Sequence, residues 1–158
     1  MNSCCFTGHR RLPVGDAWER LVRLTDESVR DAYRSGCRRF FAGGALGFDM
    51  LAAAVVCRLR DTELSDISLH LILPCRDQDS RWPPQERERY RKMIALADSH
   101  VYLYETYADG VMTARNRALV EAADLCIAYM SAPSSGTGLT VSMAKRRGIP
   151  VRNLAEEV

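Results

Sequence analysis

A chain of 158 residues, 47% hydrophobic and 27% charged, has the balance of a globular protein with a sizeable core. Its net charge of +2 is too mild for a nucleic-acid footprint by itself, and no apolar run approaches the roughly 20 residues of a membrane helix. Met1-Asn2-Ser3 leads straight into Cys4-Cys5-Phe6 with no charged leader and no long apolar run, so a cytoplasmic protein is expected.

The elements alternate from end to end. Ser3 to Phe6 reads as a first strand, followed by a turn at Thr7-Gly8-His9-Arg10. Asp16 to Arg34 repeats apolar residues at helical spacing, and Gly36 is placed to end that helix in a left-handed conformation. Arg38 to Ala42 is a second strand running into Gly43-Gly44-Ala45-Leu46-Gly47 and a helix with Phe48, Leu51, Ala52, Val55, Val56 and Leu59 on one face. Ile67 to Leu73 has the continuous apolar character of a strand buried on both faces, with Pro74 expected to stop it. A polar loop leads to Pro83-Pro84 and a third helix marked by Tyr90, Met93, Ile94 and Ala97. Val101 to Tyr104 follows as a strand, Thr113 to Ala123 as a helix, and Leu125 to Tyr129 as a strand. Ser134-Ser135-Gly136-Thr137-Gly138 opens the last helix, which ends at Lys145-Arg146-Arg147-Gly148 before a short strand at Ile149-Pro150-Val151. Such alternation predicts an α/β fold: a Rossmann-like three-layer sandwich with a mostly parallel sheet of five to six strands and helices on both faces. With no repeat, linker or low-complexity segment, residues 1–158 read as one domain.

Six cysteines, Cys4, Cys5, Cys37, Cys57, Cys75 and Cys126, form no CxxC pair, and most lie in apolar segments. Reduced thiols packed as small hydrophobes are expected, with Cys75 the one to check for reactivity. Only Lys92 and Lys145 among the 22 basic residues are lysines. The arginines suit bidentate phosphate contacts, while codon bias and a solvated surface would give the same count.

In a sheet of this kind the strand-to-helix loops share the carboxyl edge, where ligands bind at the point of strand-order reversal. Thr7-Gly8-His9-Arg10, Gly43-Gly44-Ala45-Leu46-Gly47 and Ser135-Gly136-Thr137-Gly138 all lie there. Glycine admits close backbone approach, and the following helix offers free N–H groups to a phosphate. Neither GxxxxGK[ST] nor GxGxxG is present. Arg10 could pair with phosphate and His9 donate a hydrogen bond, or both could be solvent-facing turn residues. Asp49 could hold a ribose hydroxyl, act as a base, or favour the helix dipole. Trp82 and Gln78 could stack on and read a base, or Trp82 could pin its loop. Arg115-Asn116-Arg117 sets basic residues at a helix start, which suggests an anionic partner or a salt bridge to a neighbouring acid. His9, His70 and His100 fit no metal-ligand spacing, His70 reads as a satisfied core histidine, and no nucleophile elbow exists.

Taken together, Thr7-Gly8-His9-Arg10, Gly43-Gly44-Ala45-Leu46-Gly47-Phe48-Asp49, Asp77-Gln78 with Trp82, Arg115-Asn116-Arg117 and Gly136-Thr137 resemble the SLOG superfamily. This is the Rossmannoid group containing the Smf/DprA and LOG proteins, and the likeness is to its YpsA-like branch of largely unknown function. The resemblance spans nearly the whole chain. It implies a nucleotide or nucleotide-derived ligand such as ADP-ribose, NAD or a nucleoside monophosphate, bound by a sensor or regulatory module. It also makes a homodimer an expectation. LOG proteins are phosphoribohydrolases with a PGGxGTxxE motif. Aligning Gly136-Thr137 with that GT puts Thr140 at the glutamate. Threonine cannot supply the carboxylate that N-glycoside hydrolysis needs, leaving Asp49 or Glu121 as substitutes. Single-stranded DNA binding, which likeness to DprA permits, ranks last, because only Trp82 and Tyr107 offer stacking surfaces in suitable loops.

Overall fold

The computed structural model describes residues 2–132 and 136–158. Six strands form one sheet: β1 (Ser3–Gly8), β2 (Arg39–Ala42), β3 (Ser68–Cys75), β4 (Ser99–Tyr104), β5 (Leu125–Tyr129) and β6 (Val151–Asn153). Their order is β4-β3-β2-β1-β5-β6, and every pairing is parallel. The helices are α1 (Asp16–Arg34), α2 (Phe48–Thr62), α3 (Pro84–Leu96), α4 (Val111–Ala122) and α5 (Gly136–Arg147), with a short 3-10 turn at Leu154–Glu156. This is the expected Rossmann-like α/β sandwich.

Side-chain alternation along the strands builds one core on each face. Cys4, Phe6, Phe40, Leu69 and Leu71 pack under α1, α2 and α3, while Cys5, Phe41, Ile72 and Cys126 pack under α4 and α5. From β1 the chain steps outward through β2, β3 and β4, then α4 returns it across the sheet to β5 on the other side of β1. Right-handed crossovers that reverse direction must change faces. The strand order therefore reverses between β1 and β5, and a crevice opens above their carboxyl ends.

One boundary differs in an instructive way. β3 does not stop at Pro74 but runs through it to Cys75. Ser68 N donates to Arg38 O at 2.8 Å, so the even-numbered residues of β3 face β2. The β2 pairing ends at Leu71, and a proline at 74 therefore forfeits no ladder bond. The last strand also starts later than expected, at Val151, because Pro150 precedes it and its carbonyl accepts from Cys126 N at 2.9 Å. His70 is satisfied from both sides, by Ser68 Oγ at 2.7 Å and Ser99 Oγ at 2.6 Å. All six cysteines are buried free thiols. Cys75 lies inside β3, not in a loop, and burial pushes its thiol up to about 11, which removes it as a reactive site. No helix among the described residues is long and apolar enough to cross a membrane.

Candidate functional site

The crevice above β1 and β5 has a volume of about 270 Å³ and is walled by the β1–α1 turn, the β2–α2 loop, the start of α4 and the start of α5. Its floor is electrostatically unusual. Arg115, on the first turns of α4, is only 7% exposed. Its Nη1 donates to Gly43 O at 2.6 Å and its Nε to Asn116 Oδ1 at 2.7 Å. The salt bridge to a neighbouring acid is not made, because no acid among the described residues lies within ion-pair distance of the guanidinium. The side chain reaches across the sheet edge to a carbonyl instead. Burial holds the guanidinium below its ordinary value, against the pull of Asp49.

Asp49 is the one carboxylate on the crevice wall among the described residues. It is 4% exposed, and its Oδ2 accepts from Ala45 N at 3.2 Å. Burial raises its pKa, opposed by Arg115 and by the backbone N–H groups of Ala45 and Gly43. A buried arginine and a buried aspartate thus share one floor without a direct contact.

Two of the three glycine-bearing loops use their glycines on each other. A Cβ on Gly8 would stand 2.5 Å from Phe48 Cβ, and one on Gly47, at φ +89°, would overlap the carbonyl of Arg10. Phe48 N donates to His9 O at 3.2 Å, closing the seam between them. At Gly43 a Cβ would lie 2.6 Å from Arg115 Cδ. These glycines make room for protein. Gly136 is different, since a Cβ there meets nothing within 4 Å. It opens α5 beside the buried Thr137, and both line the crevice. Ser135 lies outside the described residues.

His9 neither contacts open solvent alone nor donates from Nε2. That nitrogen accepts from Ser131 N at 2.9 Å and Ala132 N at 3.2 Å, while the ring stands edge-on to Tyr129 at 5.9 Å. An accepting Nε2 assigns the proton to Nδ1. His9 thereby ties the β1–α1 turn to the loop after β5. Arg10 beside it is exposed at the rim, with no hydrogen bond or ion pair to a described residue. Thr7 lines the crevice floor and is 7% exposed.

Other expected site residues stand elsewhere. Gln78 donates from Nε2 to Gly44 O at 3.3 Å, and Trp82 packs edge-on to Tyr90 at 5.1 Å. Together with Gly44 they form a separate cluster beside the crevice, in which Trp82 pins its loop. Gln78 Oε1 and Tyr90 Oη are buried there without a hydrogen-bond partner. Arg117 points from the outer side of α4 into a hollow with Glu121, Arg146 and Arg147, so neither Arg117 nor Glu121 reaches the crevice. Thr140 is fully buried and its hydroxyl donates to Gly136 O at 3.1 Å, so it presents nothing to a ligand. Met112, Leu119 and Ala45 line the crevice without having been singled out by residue type. Their helical and loop positions carry no chemical signal, and only the tertiary arrangement turns them inward.

Residues 5–147 match the family model described as the YspA SLOG family. The chain belongs to this family. Among individual proteins it is similar to the UPF0398 protein of Oceanobacillus iheyensis, 26% identical over 114 residues covering 71% of this chain and 61% of that one. A UPF0398 protein of Shouchella clausii is 27% identical over 62% of this chain and 55% of its own length. The chain therefore spans about three fifths of these relatives. An uncharacterised SPbeta prophage-derived protein of Bacillus subtilis, YoqJ, is 25% identical over 68% of this chain and 70% of that one. The fold of this YspA SLOG member is also that of DNA processing protein A. The Helicobacter pylori structure gives a TM-score of 0.66 at 20% identity, covering 95% of this chain and 63% of that one. The Streptococcus pneumoniae structure gives 0.67 at 15%, covering 95% and 49%.

Proposed function

We propose that the crevice binds the phosphate-bearing part of a nucleotide or nucleotide-derived ligand, such as ADP-ribose, NAD or a nucleoside monophosphate, in a sensor or regulatory module. The observation that carries this reading is Arg115, a buried guanidinium with no acid in ion-pair distance among the described residues. A buried cation with no ion pair is costly, and an anion above it lowers that cost. The exposed Arg10 at the rim supplies a further donor, and membership of the SLOG family supports the ligand class. Titration calorimetry with ADP-ribose, NAD and AMP tests the reading. Binding should weaken at least about tenfold in Arg10→Ala, a loss of about 1.4 kcal/mol, with thermal stability unchanged. Equal affinity in the variant, or no binding of any of the three, would sink it.

An enzyme reading rests on Asp49, the one carboxylate on the crevice wall among the described residues. A nucleotide N-glycoside hydrolase would release free base from these compounds, and that release would vanish in Asp49→Asn. Single-stranded DNA binding is the third reading, drawn from the Helicobacter pylori protein, whose single-stranded DNA binding mode has been described. Strong, salt-sensitive retention of an oligonucleotide would move it ahead of the other two.

A further inference from the structure

The fold turns Arg117 away from the crevice and onto a surface with a chemistry of its own. α4 and α5 each run back from the carboxyl edge over the same face of the sheet, packing side by side above Cys5, Phe41, Ile72 and Cys126. Between them lies a hollow of about 420 Å³. The buried Val120 and the half-buried Met143 give it an apolar floor, and Leu139, 42% exposed, stands at its wall. A second hollow of about 500 Å³ opens on the β4 side of α4, along Tyr104, Val111 and Ala114. Arg117 and Thr113 line both and form the ridge that divides them.

The charges of the two faces of the molecule are arranged differently. On the α1–α2 face, Arg30, Arg58 and Arg60 are each held by a carboxylate. Arg117, Arg146 and Arg147, all exposed around the α4–α5 hollow, make no ion pair with a described residue. Asp124 interacts with Arg147 through space, but its Oδ2 accepts from Asn2 N at 2.8 Å and Ser3 N at 3.2 Å. Glu121 is the one acid on the lining of the hollow among the described residues. Three guanidiniums against one carboxylate leave it positive. The helix dipole favours Arg146 and Arg147 in the last turn of α5, but it gives no reason for Arg117, halfway along α4.

We propose that the α4–α5 face docks a partner protein through an acidic amphipathic helix. The apolar stripe of that helix fills the hollow over Val120 and Met143, beside Leu139, and its carboxylates pair with Arg117, Arg146 and Arg147. An apolar floor ringed by arginines selects this chemistry. The floor needs an apolar side chain from the partner, and each guanidinium fork matches a carboxylate with two parallel hydrogen bonds. Single-stranded nucleic acid fits less well, because it needs rings for its bases to stack on and no aromatic residue among those described lines this hollow. A second copy of this chain docked by the same face would set arginine against arginine across the two-fold axis. The crevice stays open beneath a partner seated here, since Arg10, Asp49 and Arg115 line the crevice and not the hollow.

Selection of displayed random peptides against the whole chain tests the proposal, with the enriched peptides resynthesised and titrated by fluorescence anisotropy. They should carry large apolar residues three and four positions apart between glutamates or aspartates, and their binding should weaken as salt rises. Affinity should fall at least about tenfold in Arg117→Glu, and likewise in Leu139→Glu, each with an unchanged circular dichroism spectrum. Both side chains are exposed, so neither substitution disturbs a core. Arg91→Glu, an exposed charge reversal on α3 at the other face of the sheet, should leave peptide affinity unchanged. Enrichment of basic or uncharged peptides, or no enrichment, overturns the proposal. So does a peptide indifferent to Arg117→Glu, or one weakened as much by Arg91→Glu. An oligothymidine strand that binds through Arg117 where no acidic peptide does would give the surface to nucleic acid and overturn it as well.

Discussion

Arg115 was conspicuous in sequence because a cation at a helix start opposes the dipole. What the side chain does there is set by a carbonyl 72 positions earlier in the chain, at Gly43. Asp49 was legible as a first-turn acid, but its burial was not, and burial decides its chemistry. Its pKa in the folded state is raised above the ordinary aspartate value of about 3.9. For an acid with a raised folded value, the folded state holds the proton to higher pH than the unfolded chain. Its contribution is therefore most favourable at low pH and is lost as pH rises through the folded pKa. Asp49→Asn mimics the neutral form. In urea unfolding without ligand, the variant should gain stability relative to wild type as pH rises from acid to neutral. A constant difference between the two proteins would contradict the raised pKa. Cys75 teaches the same lesson from the other side, since its place after a proline suggested a loop and its position inside β3 makes it inert.

At the scale of elements, α1 and β5 were readable to the residue from periodicity and apolar runs. The loops between elements were readable as glycine-rich but not as to purpose. Gly47 holds a positive φ against the Arg10 carbonyl, whereas Gly136 stands in open space. Gly47→Ala should cost more than the roughly 1 kcal/mol of an ordinary glycine exchange, because strain and overlap add. Gly136→Ala should leave urea stability within about 0.5 kcal/mol while lowering ADP-ribose affinity. Equal effects of the two on stability would show that this division of roles is wrong. The junction before β4 makes a separate claim. Asp98 Oδ2 accepts from Leu69 N and from Arg60 Nη1, both at 2.8 Å. Burial works against its ionisation, but those two donors win and hold its carboxyl below the ordinary range. A lowered folded value contributes stability above the unfolded pKa that is lost as pH falls through the folded one. Asp98→Ala should destabilise the protein by about 1–2 kcal/mol at neutral pH, with the difference closing in acid.

For the molecule as a whole, a ligand that binds only the folded chain adds to its stability by mass action. Under the proposed reading the wild-type Tm should rise with ADP-ribose concentration in calorimetry, and the Tm of Arg10→Ala should rise less. Parallel slopes in the two proteins would remove Arg10 from the binding site.

Composition, periodicity and glycine placement by themselves determined an α/β sandwich with helices on both faces, since strand and helix periods are local properties of the chain. They also directed the proposed ligand site to the carboxyl edge. Tertiary structure alone decided the strand order, the position of the crevice between β1 and β5, and which marked residues enter it. Arg10, Asp49, Arg115 and Thr137 meet there, while Arg117, Gln78 and Trp82 do not. The reason is physical: a side chain's spacing along one element fixes the face it leaves from, but its neighbours belong to segments that only the folded sheet brings together.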